Sequence, residues 1–331
     1  MADHALIGEP NTILVPEPTP VHSISPVTLP APNRIVNLQL KVSAPAIGSN
    51  LPIILLSHGH GRSNHLSSLN GYAPLANFWA AHGFVVIQPT HLSSKSLSLA
   101  ATTPGAPLFW RSRAEDMSFI LDHLSDIEAQ APFIQGRLDR NRVAVAGHSM
   151  GGHTASMLLG ATLTDPDSQT GDGIGPGEVV SLLEPRIKAG ILLGCPGNGG
   201  ADLSEFAAKN YSFFLGAKFT EMKTPTLVIA GGEDVSAYLS TRGADWFADP
   251  YHLSTGPKIL LTLCGGKHGL GGVAGYDVAE TDDESLERVA VVQRLSWAYL
   301  RSTLYGGDRA WEVATNAFKG LNELGWVESK Q

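Results

Sequence analysis

Arg142-Val143-Ala144-Val145-Ala146-Gly147-His148-Ser149-Met150-Gly151-Gly152 is the stretch that decides the fold. Its first five residues read as a central strand, because apolar side chains run on without the polar alternation of a half-exposed strand. The small residues Gly151 to Ser156 read as the start of a helix. Between them lies Gly147-x-Ser149-x-Gly151, which places a serine on a sharp strand-to-helix turn, with glycines on either side leaving room for neighbouring backbone. Such a turn exposes the serine oxygen. The N–H of Met150 opens into the same space at a helix N-terminus, where negative charge is stabilised.

Outward from this turn, strands and helices alternate. Upstream, Ile35, Val36, Leu38, Leu40 and Val42 begin a strand-like pattern, and Leu51 to Leu56 form an apolar run ending in Ser57-His58-Gly59-His60-Gly61. A helical stretch from Tyr72 to His82 is closed by Gly83, and the run Phe84 to Ile87 is stopped by Pro89. From Trp110 to Glu128, Met117, Ile120, Leu121, Leu124 and Ile127 recur near helical spacing. Downstream, Ile187 to Leu193, Thr226 to Ala230 and Ile259 to Leu263 read as strands, and Arg288 to Leu304 as a late helix. The pattern predicts an α/β architecture, a mainly parallel central sheet with helices on both faces. Two segments read as short cap-like insertions. One is the Ser/Thr/Ala-rich loop ending at Leu108-Phe109-Trp110, and the other is Asn198 to Lys223, with Phe206, Tyr211, Phe213, Phe214 and Phe219.

Residues 1–32 hold seven prolines, which remove backbone donors and favour extended chain over helix, so they read as an arm, draped or disordered. Residues 33–331 show no internal repeat and no linker, and read as one catalytic domain. With a formal net charge of −8 and no Lys/Arg run, the chain has no electrostatic footprint for nucleic acid or an anionic membrane. Only 16% of residues are charged and 43% are hydrophobic, enough for a sizeable core. Two cysteines, Cys195 and Cys264, are too few for a disulfide framework and are spaced unlike a zinc site. The N-terminus lacks the pattern of a secretory signal, and no apolar stretch approaches membrane-spanning length. The expectation is a cytoplasmic protein with a small-molecule partner, no nucleic acid and no membrane span; the oligomeric state is not legible.

A hydroxyl nucleophile needs a base, and the base needs an acid to hold its tautomer. The strand Pro225 to Ala230 ends in Gly231-Gly232-Glu233-Asp234, and the strand Lys258 to Leu263 ends in Cys264-Gly265-Gly266-Lys267-His268-Gly269. Both sites follow the serine in the order serine, acid, histidine. The candidate catalytic residues are therefore Ser149, Asp234 and His268, with Glu233 as the rival acid. The glycine-rich turn at Ser57 to Gly61 supplies the candidate oxyanion amide of His60, to converge with that of Met150. His58, His60 and His65 could alternatively be read as a metal cluster, but His-x-His is a weak signal and no cofactor or metal is expected. Phe109, Trp110 and His148 are candidate pocket residues, and His91 and His153 are expected near the site. Asp165 to Gly173 carries carboxylates without EF-hand spacing and reads as a solvated loop.

Leu56-Ser57-His58-Gly59-His60-Gly61, Ala81-His82-Gly83-Phe84-Val85-Val86, Asp139 to Gly152 and Gly265-Gly266-Lys267-His268 together resemble the branch of α/β-hydrolases that contains platelet-activating-factor acetylhydrolases, dienelactone hydrolase relatives, chlorophyllases and cutinase-like polyester hydrolases. The resemblance implies the α/β-hydrolase fold and a serine carboxylesterase acting on a small or medium ester. The alternatives it leaves are a lipase or acetylhydrolase, a lactonase, a polyester hydrolase, an amidase, or a non-catalytic binding protein on the same fold. Gly194-Cys195-Pro196-Gly197-Asn198-Gly199-Gly200 stands near where polyester hydrolases of this branch tend to offer a tryptophan platform, which weakens that alternative.

Overall fold

The computed structural model describes residues 7–164, 179–276 and 278–331. In chain order the strands are β1 (Val21–Leu29), β2 (Leu38–Pro45), β3 (Leu51–Ser57), β4 (Val85–Pro89), β5 (Leu138–His148), β6 (Thr162–Thr164), β7 (Val179–Ser181), β8 (Ile187–Leu193), β9 (Thr226–Gly231), β10 (Lys258–Leu263) and β11 (Gly325–Lys330). The helices are α1 (Ala73–Ala81), α2 (Trp110–Asp122), α3 (Leu124–Gln130), α4 (Met150–Leu158), α5 (Glu205–Asn210), α6 (Asp249–His252), α7 (Leu286–Leu304) and α8 (Ala310–Phe318). Nine strands form one sheet in the order β1-β2-β4-β3-β5-β8-β9-β10-β11. The six from β4 to β10 run parallel, while β1, β2 and β11 pair antiparallel at the two edges. β6 and β7 form a separate two-stranded ribbon.

Every residue of β3, β4 and β9 is buried, and the physical reason is a core on each face. Ile53, Leu55, Val143 and Val145 pack into one core with Met117 and Ile120 of α2 and Met157 and Leu158 of α4. Ile54, Leu56, Ala144 and Ala146 pack into the other with Leu75 and Trp79 of α1 and Val292 and Leu295 of α7. Successive side chains of a strand point to opposite faces, so a strand covered on both sides is apolar along most of its length. Among the described residues no helix is long and apolar enough to cross a membrane.

Several elements differ from the sequence reading. The proline-rich segment contains β1, which extends the sheet by pairing with β2. Pro26 falls where the pairing register shifts between Ile24 and Val27, an irregularity at an edge strand where a missing N–H is tolerated. The expected helix from Trp110 to Glu128 is two helices, α2 and α3, parted at His123, whose Nδ1 donates to the Phe119 carbonyl at 2.9 Å. β11 and α8 follow the late helix and were not anticipated. The proposed solvated loop from Asp165 to Gly173 lies outside the described residues.

Candidate active site

β5 enters α4 through Ser149, whose φ of 56° and ψ of −121° lie outside the comfortable regions for a non-glycine residue. Backbone in that state costs on the order of 1–3 kcal/mol and persists only where its surroundings hold it. The surroundings are tight. A Cβ on Gly147 would collide with the carbonyl of Gly151, and one on Gly151 with the carbonyl of Ser57 at the end of β3. Ser149 N–H donates to Leu193 O at the end of β8 (2.9 Å), which ties the turn to the neighbouring strand.

The loop after β10 brings His268 to the same end of the sheet. His268 Nδ1 donates to Asp234 Oδ2 at 2.9 Å, and Asp234 is only 1% exposed, whereas Glu233 faces solvent. Burial alone would lower the His268 pKa, but the Asp234 charge and hydrogen bond, with help from Asp283 and Asp282, hold it above the ordinary histidine value. Asp283 also fixes the loop on both sides of the imidazole, accepting from Lys267 N–H (2.7 Å) and Gly271 N–H (3.0 Å). The Ser149 side chain makes no capping bond to α4 and, among the described residues, no bond to His268. Serine and imidazole are instead brought together through His148, whose ring lies 5.0 Å from that of His268 and whose Nε2 donates to the His268 carbonyl at 2.7 Å.

The third contribution comes from the turn after β3, whose orientation is set by His58 and His91. His58 Nδ1 lies 2.7 Å from the Gly59 carbonyl and must donate to it, so Nε2 is bare and accepts from His91 N–H at 3.1 Å. Burial, with the Arg113 and His91 charges adding to it, keeps His58 well below the ordinary histidine pKa and hence neutral. In a planar trans peptide the C=O and N–H point opposite ways. With the Gly59 carbonyl turned inward to His58, the His60 N–H faces outward. Met150 N–H is aimed in the same fashion, because the Ser149 carbonyl accepts from His153 N–H (3.1 Å) along the helix.

Beneath this turn lies a buried guanidinium. Arg113, fully enclosed, donates to Thr154 Oγ1 (2.9 Å), Ser93 Oγ (2.5 Å) and the His58 carbonyl, while Thr154 passes a bond to the Met150 carbonyl (3.0 Å). Burial draws its pKa down to about 9, so it stays a cation at neutral pH. Next to it Asp116 accepts from His91 Nδ1 (2.8 Å) and from Arg34 (2.9 Å), and His91 Nε2 meets Ser57 Oγ at 3.0 Å. Ser57, His91 and Asp116 repeat the order serine, imidazole, carboxylate, but all three are sealed from solvent and serve as packing for the turn. One signal for this network was readable: Arg113 and Asp116 fall on the apolar, core-facing side of α2 with Met117 and Ile120.

A model of the alpha/beta hydrolase family matches residues 53–315, most of the chain, from β3 through the strained turn and the His268 loop into α8. The chain belongs to the alpha/beta hydrolase family. No curated protein matches it. As a member of that family it is a hydrolase. β1 and β2 lie outside the matched region and continue the same sheet beyond β4.

The residues read as a pocket are disposed differently from one another. Trp110 stacks on Phe213 at 5.9 Å with an interplanar angle of 16°, so the two insertions meet face to face. Phe213 in turn lies 5.6 Å edge-on from His153, one helical turn after Ser149. Phe109, with a φ of 49°, and Trp110 border a cavity of about 640 Å³ whose other walls include Pro32, Ile35, Leu92 and Phe119. Phe214 and Phe219 of the second insertion belong to the core. His148 is 1% exposed, and its side chain is enclosed between Tyr72 and His268. His153 is also buried, and burial with the nearby Arg113 charge pushes its pKa to about 3. Both nitrogens of His58 are engaged, and His65 is exposed, so the three histidines of the metal reading do not converge as a donor set.

Proposed function

We propose that this hydrolase is a serine carboxylesterase that cleaves a small or medium carboxylic ester through an acyl-enzyme. The observation that carries the proposal is the buried Asp234 carboxylate on His268 Nδ1, at the same sheet end as a serine in a strained strand-to-helix turn. Asp234 keeps the proton on Nδ1 and leaves Nε2 bare. His268 Nε2 accepts the Ser149 proton as Oγ attacks the acyl carbon, and the carbonyl electrons move onto oxygen. That oxyanion is held by the N–H groups of His60 and Met150, backed by the buried Arg113 cation. Such amides are fixed before the reaction and need no reorganisation, and one of them is typically worth about 2.7–4 kcal/mol in the transition state. Collapse breaks the ester C–O bond, and the alcohol leaves with the proton from Nε2. Water, deprotonated by His268, then attacks the acyl carbon; the acyl–Oγ bond breaks, His268 returns the proton to Ser149 Oγ, and the acid is released.

The resemblance to the acetylhydrolase, dienelactone hydrolase and chlorophyllase branch supports an ester over other acyl bonds. Activated esters of graded acyl length, run against the matching amides, test this. Ester turnover with a burst of alcohol is expected. Cleavage of amides without ester turnover would contradict it.

The state of His268 gives a pH dependence. Only the neutral imidazole accepts the serine proton, and Asp234 raises its pKa, so kcat/KM rises with pH along a limb centred above the ordinary histidine value of 6.5. A profile of kcat/KM for an activated ester checks this; a limb centred well below that value would show that Asp234 does not set the state of the base.

A further inference from the structure

Tyr72 is the residue before α1, distant in sequence from Ser149, Asp234 and His268, and its hydroxyl bonds both the Gly59 amide and His148. It is fully buried and adopts a left-handed backbone, with φ 63° and ψ 21°, a state that a bulky side chain holds only under constraint. The constraint is visible in its N–H, which donates to the Ala274 carbonyl at 2.8 Å, and in its carbonyl, which accepts from Leu75 and Ala76 in the first turn of α1.

The hydroxyl makes two bonds, and the direction of each is forced. His148 Nε2 faces the His268 carbonyl at 2.7 Å, and a carbonyl only accepts, so Nε2 carries the proton. Burial, with the His268 charge second, pushes the His148 pKa to about 3, so the ring is neutral and Nδ1 is bare. Tyr72 O–H therefore donates to Nδ1 at 3.0 Å, and its oxygen is left to accept Gly59 N–H at 2.8 Å. Gly59 is required for that approach, since a Cβ there would lie 2.9 Å from the phenol oxygen. Burial raises the Tyr72 pKa, so the phenol keeps its proton and the polarity of the chain does not change with pH.

The resulting chain runs from the Gly59 amide through Tyr72 and His148 to the backbone of His268. Its first member is the peptide neighbour of the His60 amide, its middle passes through the residue before Ser149, and its last is the base itself. We propose that Tyr72 is a positioning residue for the hydrolysis, holding the oxyanion turn, the serine turn and the His268 loop in one register. This rests on the serine esterase reading above. Without the phenol the His148 bond to the His268 carbonyl and the Arg113 bonds to the His58 carbonyl and Thr154 remain, but the Gly59 amide loses its link to His148 and so to the His268 loop. Misplacement of about 1 Å at a reacting centre can cost on the order of a hundredfold in rate.

Tyr72→Phe removes one oxygen and keeps the ring. With active sites counted by fluorophosphonate titration, kcat for an activated ester is expected to fall roughly 10- to 100-fold, with KM changed by less than about twofold. Affinity for an alkyl boronic acid, which becomes tetrahedral on the serine, is expected to fall in parallel with kcat. His148→Phe breaks the same chain at its next link, so the double variant is expected to lose little more than the worse single variant. A Tyr72→Phe enzyme with lowered thermal stability but unchanged kcat per titrated site and unchanged boronate affinity would overturn the role. So would multiplying losses in the double variant. A wild type that neither takes the fluorophosphonate nor turns over ester would overturn the esterase reading and this one together, a result distinct from a fully labelled enzyme indifferent to Tyr72.

Discussion

Ser149→Ala is expected to lower kcat towards an activated carboxylic ester roughly a millionfold, to the level that binding and the two amides alone sustain. The oxygen removed is the one that forms the acyl bond. It has no structural duty that would confuse the result, since the side chain makes no capping bond to α4. The turn keeps its shape because Ser149 N–H remains bonded to Leu193 O and the contacts of Gly147 and Gly151 are untouched. Alanine tolerates the positive φ about as poorly as serine, so stability should stay within about 0.5 kcal/mol of wild type by urea denaturation. Retained folding with abolished turnover is the expected pair of results. Turnover at the wild-type rate would remove Ser149 from the chemistry.

Asp234→Asn is expected to cost roughly ten-thousandfold in kcat at neutral pH. Asp234 Oδ2 accepts from His268 Nδ1 at 2.9 Å in a site that leaves the carboxylate 1% exposed. An asparagine of the same shape can turn its amide N–H₂ towards Nδ1, which then must accept, putting the proton on Nε2 where it blocks deprotonation of Ser149. The substitution also removes the charge that stabilises the imidazolium as it forms. Loss of that charge lowers the His268 pKa, so the acid limb of the residual activity moves to lower pH. A steady-state profile of the variant checks both. Glu233→Gln is the matched control, since Glu233 faces solvent and should be close to wild type.

The parts of the site that were legible in the sequence are those that local chemistry dictates. The apolar run Val143 to Ala146 followed by Gly147-x-Ser149-x-Gly151 has few other ways to fold, because those glycines stand where a Cβ would meet the backbone of Gly151 and Ser57. Asp234 and His268 were readable as polar residues placed where apolar runs end, which in a parallel sheet is the edge that carries chemistry. The choice between Asp234 and Glu233 was not, since one residue of register decides which carboxylate turns inward.

What escaped is what only tertiary contact determines. Prolines from Pro16 to Pro32 argue correctly against helix, but whether extended chain becomes β1 depends on the open edge of β2, some distance along the chain. The polar, alternating Gly325–Lys330 becomes β11 because β10 offers it an edge, and its own pattern is mostly solvent-facing. Tyr72 reads as an ordinary helix start, and Arg113, although on the apolar side of α2, carries no motif that assigns it a role. Their roles arise because the turn after β3, α2 and the start of α4 converge on one volume where each buried polar group must find a partner. His148 shows both sides: its place in the motif reads as orienting the serine turn and as a candidate pocket residue, and its two hydrogen bonds enclose it between Tyr72 and His268.

The most direct test of Ser149 as the nucleophile is the mass of the protein after treatment with a fluorophosphonate, followed by peptide mapping. A single adduct per chain is expected, located on the peptide that carries Ser149 and absent from Ser149→Ala. An unlabelled wild type, or an adduct that persists in Ser149→Ala, would contradict it.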